Sequence, residues 1–116
     1  MISEQLQQRL RELPVEARKL LSVIVHQTYR GSLRSKEPGI ATLPEVHEAC
    51  GLDVDGMYAV LGVLLECGVI EMSGHYPFEE IHLTGLDKKA IFAYYEANKV
   101  TLDRIFVDLQ FEQLRP

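Results

Sequence analysis

The 116 residues of this chain are enough to bury one hydrophobic core and leave little room for a second, which predicts a single domain over residues 1–116. Hydrophobic residues make up 47% and charged residues 25% of the chain, a composition that excludes general disorder. No apolar run approaches the roughly 18 residues that cross a bilayer, and the N-terminus has no apolar signal-peptide core. Two cysteines are too few for a secreted disulfide framework, so we expect a cytoplasmic protein with reduced thiols and no membrane contact.

The net charge of −5 is unevenly distributed along the sequence. No lysine or arginine lies between Glu37 and Asp87, and ten acidic residues do, so this interval carries −10 and the rest of the chain +5. The basic residues of the first third of the chain are Arg9, Arg11, Arg18, Lys19, Arg30, Arg34 and Lys36. An interval of this charge predicts a surface that repels polyanions.

Two helices are predicted before the acidic interval. Ser3 is a suitable N-cap for an amphipathic helix that ends near Leu13. Pro14 then fits the first turn of a longer helix over Val15–Arg30, which Gly31 is expected to end. After a loop rich in small and charged residues, Ile40 and Ala41 are expected to form a short strand.

The stretch from residue 42 to residue 70 predicts two helices joined by a tight turn. Thr42 and Glu45 have the spacing of a capping box, and Gly51 fits the left-handed residue that ends a helix. Asp55 is the expected N-cap of the second helix. The spacing of the apolar residues of that helix assigns three leucines to the core: Leu61, Leu64 and Leu65.

The second helix is followed by a predicted hairpin and by further helices. The strands are expected over Val69–Ser73 and Glu79–Thr84, where apolar and polar residues alternate. A helix is expected over about Leu86–Asn98, and Thr101 is a suitable cap for a last one. Residues 101–112 also alternate as a strand does, and we favour the helix because of that cap.

The stretch from residue 42 to residue 70 resembles the helix-turn-helix of the winged-helix superfamily. Its ending, L-x-x-x-G-hydrophobic-hydrophobic, is matched by Leu64, Gly68, Val69 and Ile70. The resemblance covers about residues 15–84 and implies a mostly α fold with a small antiparallel β-hairpin (α+β), flanked by extra helices at about 3–13 and 86–114. It also implies DNA binding through the second helix of the motif, and such terminal helices often form homodimers in regulators of this superfamily.

The residues of that second helix do not match a DNA reader. Gly56–Cys67 contains no Arg, Lys, Asn, Gln, Ser or Thr, which are the side chains that read base edges. The surrounding −10 opposes phosphate binding, which depends on basic side chains. We therefore expect that this helix does not dock on DNA in the usual way.

The function predicted from the sequence is a noncatalytic winged-helix module that acts through protein–protein contacts, as a homodimer or in an assembly. The candidate partner-binding residues are Met57, Tyr58, Val63, Tyr76 and Phe78. The two aromatic residues at the loop tip either fold back onto the core or are presented to a partner. The alternative is a DNA-binding transcriptional regulator with an atypical basic surface, whose candidate residues are Arg9, Arg11, Arg18, Arg34 and Lys36; a solvated helix face also explains these cations.

The sequence gives little support to an enzyme or to a metal centre. His47 and Cys50 lie three residues apart on one helix, and Cys67 ends the next, which leaves a metal- or ligand-responsive switch as a third class. A structural metal site needs a fourth ligand, so we expect no metal and no cofactor. No nucleophile motif, phosphate loop or paired-carboxylate signature is present, and we expect no catalytic residue.

Overall fold

The computed structural model describes residues 3–34, 40–110 and 112, and these form a mostly α structure with a small antiparallel sheet. The predicted fold class, mostly α with a small antiparallel sheet, is confirmed. The elements, in chain order, are α1 (Glu4–Glu12), α2 (Val15–Arg34), β1 (Ala41–Thr42), α3 (Leu43–Cys50), α4 (Val54–Cys67), β2 (Ile70–Ser73), β3 (Glu80–Leu83), α5 (Lys88–Asn98) and a C-terminal 3-10 turn (Leu102–Arg104). No helix in the described part of the chain is long and apolar enough to cross a membrane.

The sheet has three strands in the order β1-β3-β2, and both pairs are antiparallel. The predicted hairpin forms β2 and β3, and the expected short strand joins them one residue later than predicted, with Ala41 opposite Ile81. Ile81 and Leu83 are buried, while Glu80 and His82 lie on the other face, as the alternation predicted. The sheet therefore covers the core with one face only.

The first two helices differ from the prediction in one boundary. Ser3 caps α1, since its Oγ accepts the N–H of Leu6 at 3.2 Å. The expected end of α2 at Gly31 is wrong, because the helix continues to Arg34. Glycine in a helix costs only about 1 kcal/mol relative to alanine, and α2 is the central helix of the core, in contact with α3, α4 and β1. Lys36, a predicted nucleic-acid contact, lies outside the described residues.

The ends of α3 and α4 are capped by the predicted kinds of residue, but partly at other positions in the sequence. The Thr42 side chain does not accept a backbone N–H; its Oγ1 instead donates to Glu45 Oε1 at 2.7 Å. Gly51 is left-handed, with φ +73°, as predicted. The expected N-cap at Asp55 is wrong, because Asp53 accepts the N–H of Gly56 at 2.7 Å. The helix therefore begins two residues earlier than expected, at Val54.

The burial of α4 corrects two of the sequence assignments. Leu61 and Leu64 are buried as predicted, but Leu65 is 42% exposed rather than inward. Met57, a predicted partner contact, is only 1% exposed and belongs to the core. The buried positions 57, 61 and 64 follow the helical repeat, and Leu65 lies at the edge of that stripe, on the same side of α4 as Tyr58.

The segment after α5 forms neither the predicted last helix nor the alternative strand. Leu102–Arg104 form a 3-10 turn that is followed by turns, and Thr101 makes no side-chain cap bond. Contacts with α2 hold the backbone instead: the N–H of Phe106 donates to Ser22 Oγ at 3.0 Å, and Arg18 Nη1 donates to Phe106 O at 3.3 Å. Burial of the Phe106 ring therefore outweighs the local preference for helix. Of the rest of the predicted helix, residues 111 and 113–116 lie outside the described residues.

Candidate functional site

The loop between β2 and β3, residues 74–79, presents two aromatic side chains and is named the hairpin tip. Tyr76 is 65% and Phe78 is 82% exposed. A tight turn forms this loop, since the N–H of Phe78 donates to His75 O at 2.7 Å, and the Tyr76–Pro77 peptide bond is cis. Of the two arrangements left open by the sequence, the structure has the one in which both rings face solvent.

Bonds from two helices hold the hairpin tip in place. The Tyr58 hydroxyl on α4 donates to Glu79 Oε1 at 2.6 Å, and the Tyr58 and Tyr76 rings are 6.3 Å apart between centroids. The N–H of Leu43, at the start of α3, donates to Glu79 O at 3.0 Å. The exposed rings are thus carried on a loop whose position is determined by the core helices.

The bond between Tyr58 and Glu79 predicts a late-titrating tyrosine. Burial, together with that bond, raises the pKa of Tyr58 to about 12. Since the fold favours the neutral phenol, this group stabilises the fold below its unfolded pKa of about 10, and the contribution is lost as the pH rises towards 12. We expect the tyrosinate absorbance of the wild type to keep rising near pH 12 and this late rise to be smaller in Tyr58→Phe. Burial and Glu96 also raise the pKa of Tyr29, so part of the late rise remains. Tyr76→Phe is the control, and an undiminished late rise in Tyr58→Phe would contradict the assignment.

A cleft of about 160 Å³ lies between the hairpin tip and the first turns of α3 and α4; we name it the tip cleft. It is lined by Leu43, Pro44, His47, Val54, Met57, Tyr76 and Pro77. Met57 therefore contributes to the wall of this cleft and not to the exposed surface for which the sequence proposed it. Sites for small molecules have volumes of roughly 300–1,000 Å³, so the tip cleft has the size for a side chain.

The apolar surface extends from the hairpin tip along α4. Leu65, which the sequence placed in the core, is exposed on the side of α4 that carries Tyr58, whereas the predicted contact residue Val63, which is 38% exposed, lies on the opposite flank of α4 and is not part of this surface. Leu65 lies two turns after Tyr58 on one side of the helix, so it continues the surface that begins at the tip. The one-residue offset of Leu65 from the buried Leu64 is the signal in the sequence that could have identified it.

The residues around this apolar surface are acidic. The described residues 40–87 contain no lysine or arginine and nine carboxylates: Glu45, Glu48, Asp53, Asp55, Glu66, Glu71, Glu79, Glu80 and Asp87. Glu45 is paired with Arg34, which lies outside this interval, at 2.9 Å. Asp55 is exposed and directly follows Val54, which lines the tip cleft, whereas Glu48 lines the separate groove between α2 and α3. The tip cleft therefore lies in a part of the chain whose described charges, over residues 40–87, are all negative apart from the histidines.

The arginines proposed as an alternative nucleic-acid surface contact other parts of the chain. The contacts are Arg9 Nη1 with Cys67 O at 3.3 Å, Arg11 Nε with Glu112 Oε1 at 2.6 Å, Arg18 Nη1 with Phe106 O at 3.3 Å and Arg34 Nη2 with Glu45 Oε2 at 2.9 Å. These guanidinium groups connect α1 and α2 to α3, α4 and the C-terminal segment. These contacts involve four of the seven basic residues of the first third of the chain.

The described residues offer no metal site that would support a metal-responsive switch. Among the described residues, no three His, Cys, Asp or Glu side chains are grouped to hold an ion. His47 lines the tip cleft, while Cys50 is buried and its Sγ donates to His47 O at 3.5 Å. The helical spacing of these two residues therefore does not bring their ligand atoms together with Cys67.

A wider groove between α2 and α3 has charges of both signs. Its volume is about 490 Å³, and its lining residues are Gln27, Arg30, Arg34, Glu45, Glu48 and Ala49. The salt bridge between Arg34 and Glu45 crosses it at 2.9 Å. Since its arginines and glutamates compensate one another, the groove selects neither an anion nor a cation.

Comparisons of this chain with protein-family models, with curated proteins and with solved structures found no match. The candidate surface consists of the hairpin tip, the tip cleft and the exposed side of α4, and we name the three together the docking face.

Proposed function

We propose that this chain is a noncatalytic winged-helix module that binds a protein partner through the docking face. The observation that carries the proposal is the exposure of Tyr76 and Phe78 on a loop that is bonded to α3 and α4. Large aromatic side chains are enriched at the centres of protein interfaces, where they supply most of the binding energy.

The hairpin tip is held in place by bonds to the helices, and this anchoring supports the proposal in addition to the exposure of its rings. A loop that must be ordered on association loses affinity through the entropy of ordering. Here the bond from Tyr58 to Glu79 and the bond from Leu43 to Glu79 hold the loop before a partner arrives. The docking face is therefore preorganised, which favours a specific protein contact.

Charge supports a protein partner over a nucleic acid. The described residues 40–87 carry no lysine or arginine, and all four candidate arginines contact carbonyl or carboxylate oxygens of their own chain. DNA binding draws on several Lys or Arg contacts to phosphates. DNA binding through an atypical basic surface is therefore the result that would contradict the proposal in the test below.

We expect a chain that carries both Tyr76→Ser and Phe78→Ser to lose a set of proteins that the wild-type chain retains from a cell extract. Loss of interface hot spots costs about 2 kcal/mol or more each, which corresponds to a reduction in recovery of at least about tenfold. The measurement is quantitative mass spectrometry of proteins retained from an extract of the source cells by the immobilised full chain.

The matched control is Leu33→Ser, because Leu33 is 68% exposed and lies on α2, away from the hairpin. Partners lost with the double variant should be retained by this control, and both variants should keep the wild-type circular dichroism spectrum. Equal recovery by the wild type and the double variant contradicts the proposal. So does salt-dependent binding of generic duplex DNA that is lost on replacing Arg9, Arg11 and Arg18.

A further inference from the structure

We propose that the tip cleft receives one apolar side chain from a positively charged segment of the partner, an inference that rests on the proposed function and adds the chemistry of the ligand. It follows from the volume of the cleft, from the character of its lining and from the charge of its rim. Each of these properties excludes a different class of occupant.

The volume and lining of the tip cleft select a single apolar side chain. Its roughly 160 Å³ is about half of the smallest volumes typical of small-molecule sites. Leu43, Val54 and Met57 supply apolar walls, and Pro77 and the Tyr76 ring form the side toward the hairpin. An anchor residue in a pocket, surrounded by weaker contacts that exclude water, is the usual arrangement of an interface hot spot.

The rim selects positive charge on either side of that anchor. Asp55 is exposed and directly follows Val54, which lines the cleft, and the described residues 40–87 carry eight further carboxylates and no lysine or arginine. Complementary charge at the rim of an interface accelerates association and rejects partners of the wrong sign. Lysine or arginine residues flanking the anchor therefore match this face.

A second copy of this chain does not match it. A two-fold symmetric contact through the docking face places the same patch of both copies together. The carboxylates of one rim would then face those of the other, and juxtaposed like charges oppose association. A segment of a different protein is accordingly the occupant of the tip cleft to which the charge points.

The test is a selection from a displayed library of random 16-residue peptides on the immobilised full chain, with counter-selection on the Tyr76→Ser, Phe78→Ser variant. We expect the recovered peptides to share one large apolar position flanked by an excess of Lys and Arg. Replacing that apolar residue with serine in a synthetic copy should weaken binding at least about tenfold, the loss typical of a hot-spot anchor. Raising the salt concentration should weaken binding further, because the rim charges are exposed.

A charge-reversal pair separates the rim from the rest of the surface. Asp55 and Asp103 are both exposed acidic residues in the first turn of a helix, and only Asp55 lies beside the cleft. We expect Asp55→Lys to weaken the recovered peptides about fivefold at low salt, since it replaces an attraction with a repulsion of similar size, and Asp103→Lys to change the affinity less than about twofold.

The outcomes separate this inference from the function on which it rests. Recovered peptides that are neutral or acidic, or that bind Asp55→Lys as well as they bind the wild type, overturn the inference and leave a protein-binding function through the hairpin tip in place. Failure to recover any peptide that depends on the tip also overturns it. If, in addition, the extract experiment shows no partner that depends on Tyr76 and Phe78, the proposed function falls as well.

Discussion

Replacing Phe106 with alanine is expected to lower the free energy of unfolding by about 3–5 kcal/mol, the range for removing a buried aromatic ring. The side chain is fully buried. Its backbone is held on both sides by α2, through Ser22 Oγ and the guanidinium group of Arg18. Because alanine keeps both main-chain bonds, the loss measures the packing of the ring, and it is large for a chain of this size.

The control for this substitution is Leu109→Ala in the same segment, where the leucine is exposed and left-handed, with φ +56°. Denaturation by urea, followed by circular dichroism, should show a much lower midpoint for Phe106→Ala and a change of less than about 1 kcal/mol for Leu109→Ala. Similar midpoints for both variants would mean that the C-terminal segment does not pack on α2 as described.

Two adjacent leucines of α4 are expected to differ sharply when each is replaced with alanine. Leu64 is fully buried, so Leu64→Ala should cost about 2–5 kcal/mol through lost contacts and a cavity. Leu65 is largely exposed, and Leu65→Ala should cost less than about 1 kcal/mol because alanine is also the better helix former. Both residues are leucines on the same helix, so the two substitutions differ only in the direction in which the orientation of α4 points each side chain.

Thermal and urea unfolding of the two variants provide the measurement. The affinity for a partner gives a second readout, because Leu65→Ala removes apolar area from the docking face while leaving the fold intact. Equal destabilisation by the two substitutions would place Leu65 in the core, as the spacing of the leucines first indicated. It would also shorten the docking face to the hairpin tip and the tip cleft.

The order of the elements was predictable because each is encoded by local signals. Ser3 caps α1, Gly51 and Gly68 end α3 and α4 in the left-handed conformation, and the alternation of Ile81 and Leu83 identifies β3. Such signals depend on neighbours a few residues apart, so they can be interpreted without the fold.

The errors arose where contacts between distant residues decided the outcome. Thr101 predicts a helix, but Phe106 is buried against α2, and that contact overrides the cap. Gly31 predicts a helix end, but α2 continues for three residues because its packing outweighs a small propensity cost. Neither contact has a signature in the local sequence.

The candidate site was predictable in part. Tyr58, Tyr76 and Phe78 were identified as unusual, and the structure places Tyr58 beside Tyr76 through a bond to a residue 21 positions away. That bond depends on the register of the hairpin and could not be inferred from spacing. The assignment of Met57 to the surface is wrong, because Met57 lies four residues before Leu61 and shares its buried face of α4.

The strand order has a consequence for how the docking face comes into being. β3 is the last strand to be synthesised, yet it lies between the other two, so β1 and β2 have no sheet partner until Leu83 has left the ribosome. The bond from Leu43 to Glu79, which brings the hairpin against α3, also joins residues made far apart in time. A nascent chain can form its early helices without the cleft. A partner that docks there therefore recognises only chains whose synthesis has passed the third strand.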